Sequence, residues 1–115
     1  MSDFRKLAVV TKAHAVTLRV YAFTRKFPRE ETYGLAAQMR RATVSIGSNI
    51  AEGTGKATPG ELRQALGHAQ GSVHELQYQC QVARDLGYLD PTEHTTIDAD
   101  IREVRAMLEA LRRRV

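Results

Sequence analysis

The chain has 115 residues, of which 43% are hydrophobic and 26% charged; this composition predicts one folded domain over residues 1–115 and argues against disorder. It has no apolar run near the roughly 20 residues of a membrane helix, no apolar signal segment and only one cysteine, Cys80, so we expect a cytoplasmic protein without a membrane partner. The net charge is +4, and residues 1–58 hold ten Lys or Arg against four Asp or Glu, which favours an anionic partner such as nucleic acid, although a basic face without a partner explains it equally well.

The first helix is predicted at residues 5–26, because apolar residues recur there at helical spacing until Pro28. A basic row flanks these apolar residues, and its members stand seven residues apart: Arg5, Lys12, Arg19 and Lys26. At about 1.5 Å rise per residue the row is roughly 30 Å long. The neighbouring helices show no matching row of acids. We therefore expect that the row is not neutralised within one chain and faces either phosphates or the acids of another subunit.

The second helix is predicted at residues 30–52, and its apolar row runs into the polar Asn49. A buried Asn is costly unless its amide is fully hydrogen-bonded, but it can fix the register between helices. We expect Asn49 and Glu52 to form a structural polar element of the core; a functional role for them is the less favoured alternative. Arg40 and Arg41 on the same helix add exposed cations.

The third and fourth helices are predicted at residues 59–86 and 91–113, and both begin with a capping signal. Thr58 and Asp90 are each followed directly by Pro, the first helical residue, and three residues after the cap by Glu, which is the pattern of a capping box. Residues 53–56, Gly-Thr-Gly-Lys, resemble a phosphate loop only faintly, because the first Gly and the Ser or Thr after Lys are missing. A turn that ends the second helix is the better interpretation.

The apolar residues of all four segments repeat at a mean step of 3.5, which is typical of helices that wind into a left-handed bundle. Short connections favour antiparallel neighbours. The sequence therefore predicts an all-α fold, an antiparallel up-down-up-down four-helix bundle.

No pattern of residues indicates an enzyme, a cofactor or a metal site. A di-iron bundle needs a His three residues after a Glu on two helices, and none of the eight Glu is followed in this way. Cys80 lies on an apolar row, and no Ser-His-Asp pattern has a nucleophile elbow. The four tyrosines are scattered, so we expect them in packing or interface contacts, and we expect base sequence to matter little to any nucleic-acid binding.

Several short motifs together carry a resemblance to a known family. They include Phe27-Pro28 and Glu31, Tyr33-Gly34-Leu35, Arg40-Arg41-Ala42, Ser45-Ile46 followed by Asn49-Ile50-Ala51-Glu52-Gly53, and Leu86-Gly87-Tyr88-Leu89. The chain resembles, over nearly its whole length, the bacterial four-helix bundle proteins encoded by intervening sequences of 23S rRNA genes. That family is similar to the accessory variability protein of diversity-generating retroelements, a basic homopentameric barrel that binds nucleic acid and a reverse transcriptase. The resemblance implies a homopentamer without enzymatic activity.

Two functions follow from the charge pattern and the resemblance together. The first is a non-enzymatic, homo-oligomeric bundle that binds RNA or DNA through Arg5, Lys12, Arg19, Lys26, Arg40 and Arg41. The alternative is a protein-interaction scaffold for an acidic partner, with no direct nucleic-acid role. A reverse transcriptase or another protein is a further candidate partner. Binding to arbitrary nucleic acid that weakens with salt would distinguish the first function from the second.

Overall fold

The helices account for most of the structure, a computed structural model that describes residues 7–56 and 58–115. The elements are α1 (Ala8–Thr24), a single 3-10 turn (Arg29–Glu31), α2 (Leu35–Thr54), α3 (Pro59–Asp85) and α4 (Pro91–Arg113). The described residues contain no strand. The predicted all-α four-helix fold is therefore confirmed.

Local hydrogen bonds begin α3 and α4 where the sequence predicts. The Asp90 carboxylate accepts the Glu93 N–H at 2.7 Å, and the Glu93 carboxylate accepts the Asp90 N–H at 3.0 Å, which completes a capping box. At α3 the box is only half formed: Thr58 Oγ1 accepts the Glu61 N–H at 3.1 Å, but the Glu61 carboxylate accepts the Thr58 hydroxyl instead of a backbone N–H.

The end of α3 is set by Gly87, whose φ of +81° lies in the left-handed region that glycine adopts without strain. The N–H groups of Gly87 and Tyr88 return to the carbonyls of Arg84 and Ala83 at 2.9 and 2.8 Å. This pattern of two bonds satisfies carbonyls at the end of the helix and turns the chain toward α4.

The link between α1 and α2 is longer than predicted. Helix α1 ends at Thr24, two residues early, and α2 begins at Leu35, five residues late. Pro28 separates the two helices, and after the 3-10 turn the Glu31 carboxylate accepts the Leu35 N–H at 3.1 Å. This contact satisfies a free N–H of the first turn of α2, so the helix begins beyond Glu31 rather than at it.

The core is formed by the predicted apolar rows. Its largest fully buried side chains come from all four helices: Val16 and Val20, Met39, Ile46 and Ile50, Leu66, Val73 and Leu76, and Ile97, Ile101, Val104 and Leu108. These side chains belong to one contiguous cluster. Burial of this apolar surface is the main force that holds the helices together.

Each helix contacts its neighbours in the chain, and α1 also contacts α4, which closes the bundle. The contacts run in opposite chain directions on neighbouring helices. They include Ser45 with Ser72 and Gly53 with Ala65 between α2 and α3, and Gln77 with Asp98 and Gln70 with Arg112 between α3 and α4. These pairs agree with an antiparallel order, while the left-handed supercoil stays a prediction. Over the described residues, no helix is both long and apolar enough to cross a membrane.

Candidate nucleic-acid interface

Two members of the basic row are paired with acids of the same chain. Lys12 Nζ lies 3.0 Å from Asp100 Oδ1 and 3.1 Å from Glu103 Oε2, and Arg19 Nη1 lies 3.3 Å from Asp100 Oδ2. The hydrogen bonds to Asp100 and Glu103 raise the pKa of Lys12 above its ordinary value. The expectation that the row is not neutralised within one chain is therefore wrong for Lys12 and Arg19.

The physical reason is the register between α1 and α4. Asp100 and Glu103 lie in the middle of α4, and the closure of the bundle places them opposite the middle of α1. We call these four side chains, Lys12, Arg19, Asp100 and Glu103, the α1–α4 seam.

The rest of the basic row differs from the seam. Arg5 lies outside the described residues, and Lys26 is exposed beyond the end of α1. Lys26 follows Arg25 and lies three residues before Arg29 in the chain, and we call these three residues the α1-end cluster. All three side chains are exposed and form no ion pair with another described residue. The α1-end cluster therefore offers cations that the fold itself does not use.

The adjacent arginines of α2 have different surroundings. Arg40 is half-buried: its Nε donates to Thr24 Oγ1 at 2.9 Å, and its guanidinium lies 4.8 Å from the centre of the Tyr21 ring. These contacts join α2 to α1 and include a cation–π interaction. Arg41 is exposed and has no ion-pair partner among the described residues. Neither arginine has an ion-pair partner among the described residues, but Arg40 is held against α1, whereas Arg41 is exposed.

Arg41 borders a groove between α2 and α3 with a volume of about 490 Å³, here called the α2–α3 groove. Its other lining residues are Leu35, Gln38, Glu75, Tyr78, Gln79 and Val82. The Tyr78 side chain is 66% exposed, whereas Gln79 is only 7% exposed. The sequence predicted packing or interface contacts for Tyr78 and did not place it near Arg41. No sequence signal places the two together, because the register of α2 against α3, which the Ser45–Ser72 contact marks, is set by packing.

Asn49 and Glu52 do not form a buried polar core. Asn49 is half-buried, and its Nδ2 donates to the Ser45 carbonyl at 2.8 Å and to Ser45 Oγ at 2.9 Å. Ser72 Oγ lies 2.9 Å from Ser45 Oγ, so Asn49 supports a hydrogen-bonded link from α2 to α3. The Glu52 side chain is 64% exposed and pairs with Lys56 at 3.5 Å. The expectation of a mostly buried Asn49 is wrong in degree, and the assignment of Glu52 to the core is wrong.

The helical period explains this correction. The buried positions near the end of α2 are Ile46, Ile50 and Gly53, which place Glu52 on the solvent side. Gly53 lies against α3 so closely that a Cβ there would stand 2.8 Å from the Ala65 Cβ. The buried row of α2 therefore runs from Ile46 and Ile50 to Gly53, and it does not include Asn49, which the sequence pattern had placed on it.

The described residues contain no group of three or more His, Cys, Asp or Glu side chains that could hold a metal ion. Burial raises the pKa of the Cys80 thiol to about 12, and the charge of Asp98 adds to this effect. A thiol with this pKa stays protonated at neutral pH and is a poor nucleophile.

A sequence model described as 23S rRNA-intervening sequence protein matches residues 5–110. The chain belongs to this family. It is also similar to a crystal structure of a protein with unknown function from the S23 ribosomal protein family of Bacteroides thetaiotaomicron, with a TM-score of 0.85 and 20% identity over 91% of this chain and 95% of that one. At this identity the likeness concerns the fold. No curated protein matches the sequence significantly.

The motif residues that carry the resemblance to the 23S rRNA-intervening sequence family connect the helices. The Tyr88 hydroxyl donates to Glu31 Oε2 at 2.9 Å, and the Tyr88 ring packs 5.2 Å from that of Phe27. The same Glu31 carboxylate caps α2 through its other oxygen. These family motif residues therefore account for contacts that join the helices of the bundle.

Proposed function

We propose that the protein is a non-enzymatic, homo-oligomeric bundle that binds RNA or DNA in the cytoplasm through the α1-end cluster and Arg41. The observation that carries this proposal is the division of the cations into two groups. Lys12 and Arg19 are neutralised in the α1–α4 seam, whereas the α1-end cluster and Arg41 are exposed without an ion-pair partner among the described residues. Phosphate contacts require cations of the second kind.

Lys12 and Arg19 are left out of the proposed binding surface because they pair with carboxylates in the seam. To contact a phosphate, Lys12 would have to give up two carboxylate partners at 3.0 and 3.1 Å. Exchange of one anionic partner for another gains little free energy. Arg25, Lys26 and Arg29 have no such partner to lose among the described residues.

The first prediction compares two double substitutions that each remove two cations. Lys26→Gln with Arg29→Gln changes the α1-end cluster, and Lys12→Gln with Arg19→Gln changes the seam. We expect the first variant to reduce the slope of log affinity against log salt by roughly 1.4 for single-stranded RNA, since each phosphate contact contributes about −0.7. The seam variant should keep the slope of the original protein. Fluorescence anisotropy at several salt concentrations measures both slopes.

The two variants have the same net charge, so a general electrostatic effect would change their slopes equally. Equal slopes in both variants would contradict the proposed surface, and an absence of salt-dependent binding in the original protein would contradict nucleic-acid binding itself. Light scattering on each variant separates loss of binding from loss of assembly.

A scaffold for an acidic protein partner is the second candidate function. It is supported by large apolar side chains that the described surface exposes, of which Tyr33, at 95%, is the most accessible. Such side chains contribute strongly to protein interfaces. Capture of one stoichiometric acidic protein, without binding of nucleic acid, would favour this function.

A further inference from the structure

The α2–α3 groove contains a polar group that the fold leaves unsatisfied. Gln79 Oε1 is buried and has no hydrogen-bond partner among the described residues. The amide has one contact, a long one of 3.5 Å from its Nε2 to Glu75 Oε1. Buried acceptors are almost always hydrogen-bonded, so an orphan beside a groove indicates a missing donor. Gln79 also lines the groove, so a donor that enters there lies beside this amide.

The two walls of the groove carry opposite charges that do not pair. Arg41 of α2 and Glu75 of α3 both line it, and neither forms an ion pair with another described residue. A ligand that brings its own donors to Glu75 and its own anion to Arg41 would satisfy both. The third feature is the exposed ring of Tyr78, which offers a flat apolar surface beside these groups.

We propose that the α2–α3 groove binds one unpaired guanine of a single-stranded nucleic acid. The carboxylate of Glu75 and Oε1 of Gln79 accept the N1–H and N2–H groups of the base, and Tyr78 stacks on its ring. Arg41 contacts an adjacent phosphate. The volume of about 490 Å³ is within the usual range for small-molecule sites. This inference rests on the proposed nucleic-acid binding and adds a base preference to it.

Guanine fits these groups better than the other bases because its Watson–Crick edge presents two adjacent donors. Glu75 and Gln79 stand one helical turn apart on α3 and both offer acceptors. Adenine and cytosine present one amine beside a ring acceptor, which would face the Glu75 carboxylate unfavourably. Uracil has a single N–H between two carbonyls. The expectation that base sequence matters little is thereby replaced by a preference at one nucleotide.

The test uses single-stranded RNA 12-mers of uridine that carry one central guanosine, inosine, adenosine or abasic site. All four have the same phosphates, so phosphate binding is constant across the set. We expect the guanosine strand to bind about tenfold more tightly than the adenosine strand, as is typical of a good bidentate base contact. Inosine, which lacks the N2 amine, should fall between them. Equal affinity for all four strands would overturn the guanine site and leave the phosphate-binding proposal intact, whereas no binding to any strand would overturn both.

Three variants assign the roles within the site. Glu75→Gln should abolish the preference for guanosine over adenosine while salt-dependent binding remains. Tyr78→Ala should weaken binding to the guanosine strand about tenfold, and Tyr78→Phe, which keeps the ring, should not. Both positions are exposed, so the fold does not depend on them. A guanosine preference that survives Glu75→Gln, or an equal loss in Tyr78→Phe and Tyr78→Ala, would overturn the assignment.

Discussion

At the scale of single residues, two glycines of α2 show how differently the same residue type can be used. Gly53 is buried against α3, and a Cβ there would stand 2.8 Å from the Ala65 Cβ and 3.0 Å from Leu62 Cδ1. A Cβ added at Gly47 would have no other atom within 4 Å. Gly53 therefore permits the close approach of two helices, while Gly47 only weakens its helix.

Substitution of each glycine by alanine should change stability in opposite directions. Gly53→Ala should lower the free energy of unfolding by about 1–3 kcal/mol, because the added methyl group forces α2 and α3 apart. Gly47→Ala should raise it by up to about 1 kcal/mol, because alanine favours the helix. Urea unfolding followed by circular dichroism measures both. If Gly53→Ala were as stable as Gly47→Ala, the close packing of α2 on α3 would be disproved.

At the scale of helices, polar side chains fix how each pair meets. Asp98 of α4 accepts a hydrogen bond from Gln77 of α3 at 3.3 Å and another from Arg102 of its own helix at 2.7 Å. Burial acts to raise the pKa of Asp98, but the hydrogen bonds from Arg102 and Gln77, together with the nearby charges of Arg102 and His94, lower the pKa below its ordinary value of 3.8. The charged carboxylate is therefore favoured by the folded chain.

This lowered pKa predicts an acid dependence of stability. A carboxyl group with a lower pKa in the folded state stabilises the protein above its unfolded pKa, near 3.8, and loses that contribution as the pH falls through the folded value. The free energy of unfolding should therefore fall as the pH drops below about 5, and Asp98→Asn should reduce this fall. Glu109→Gln, which removes an exposed carboxylate that forms no ion pair with another described residue, is the matched control. Identical acid profiles for Asp98→Asn and the original protein would refute the role of this contact.

At the scale of the whole molecule, the charges are divided between a neutral seam and free cations. The α1–α4 seam balances the middle of the bundle, and the α1-end cluster and Arg41 stay exposed. Two large apolar side chains, Leu18 at 58% and Val44 at 43%, are also exposed on α1 and α2. Surfaces of this kind are available for burial between copies of the chain.

Assembly is the prediction that belongs to this scale. We expect a homopentamer, the state that the family resemblance implies, so light scattering should give about five times the mass of one chain. Repetition of a weak nucleic-acid site on several subunits would increase avidity if one strand reaches more than one of them. A monomer at micromolar concentration would contradict both the assembly and this source of avidity.

Features that depend on near neighbours in the chain are predictable from the amino-acid sequence alone. The caps at Thr58 and Asp90 act over three residues, Gly87 needs only its own φ, and the apolar rows follow the period of one helix. For this reason the four helices and most of the core could be predicted. The Glu31 cap of α2 could not, because it follows an irregular turn that no helical period describes.

Which side chains of different helices meet depends on how the helices pack against one another. Lys12 and Asp100 are 88 positions apart, and their pairing depends on the closure of α1 against α4. Arg41 and Tyr78 share a groove because α2 and α3 meet in the register that Ser45 and Ser72 mark. Charge and helical spacing are properties of one segment, whereas register is a property of two packed surfaces. The cations therefore stood out in the sequence, and only packing separated the neutralised ones from the free ones.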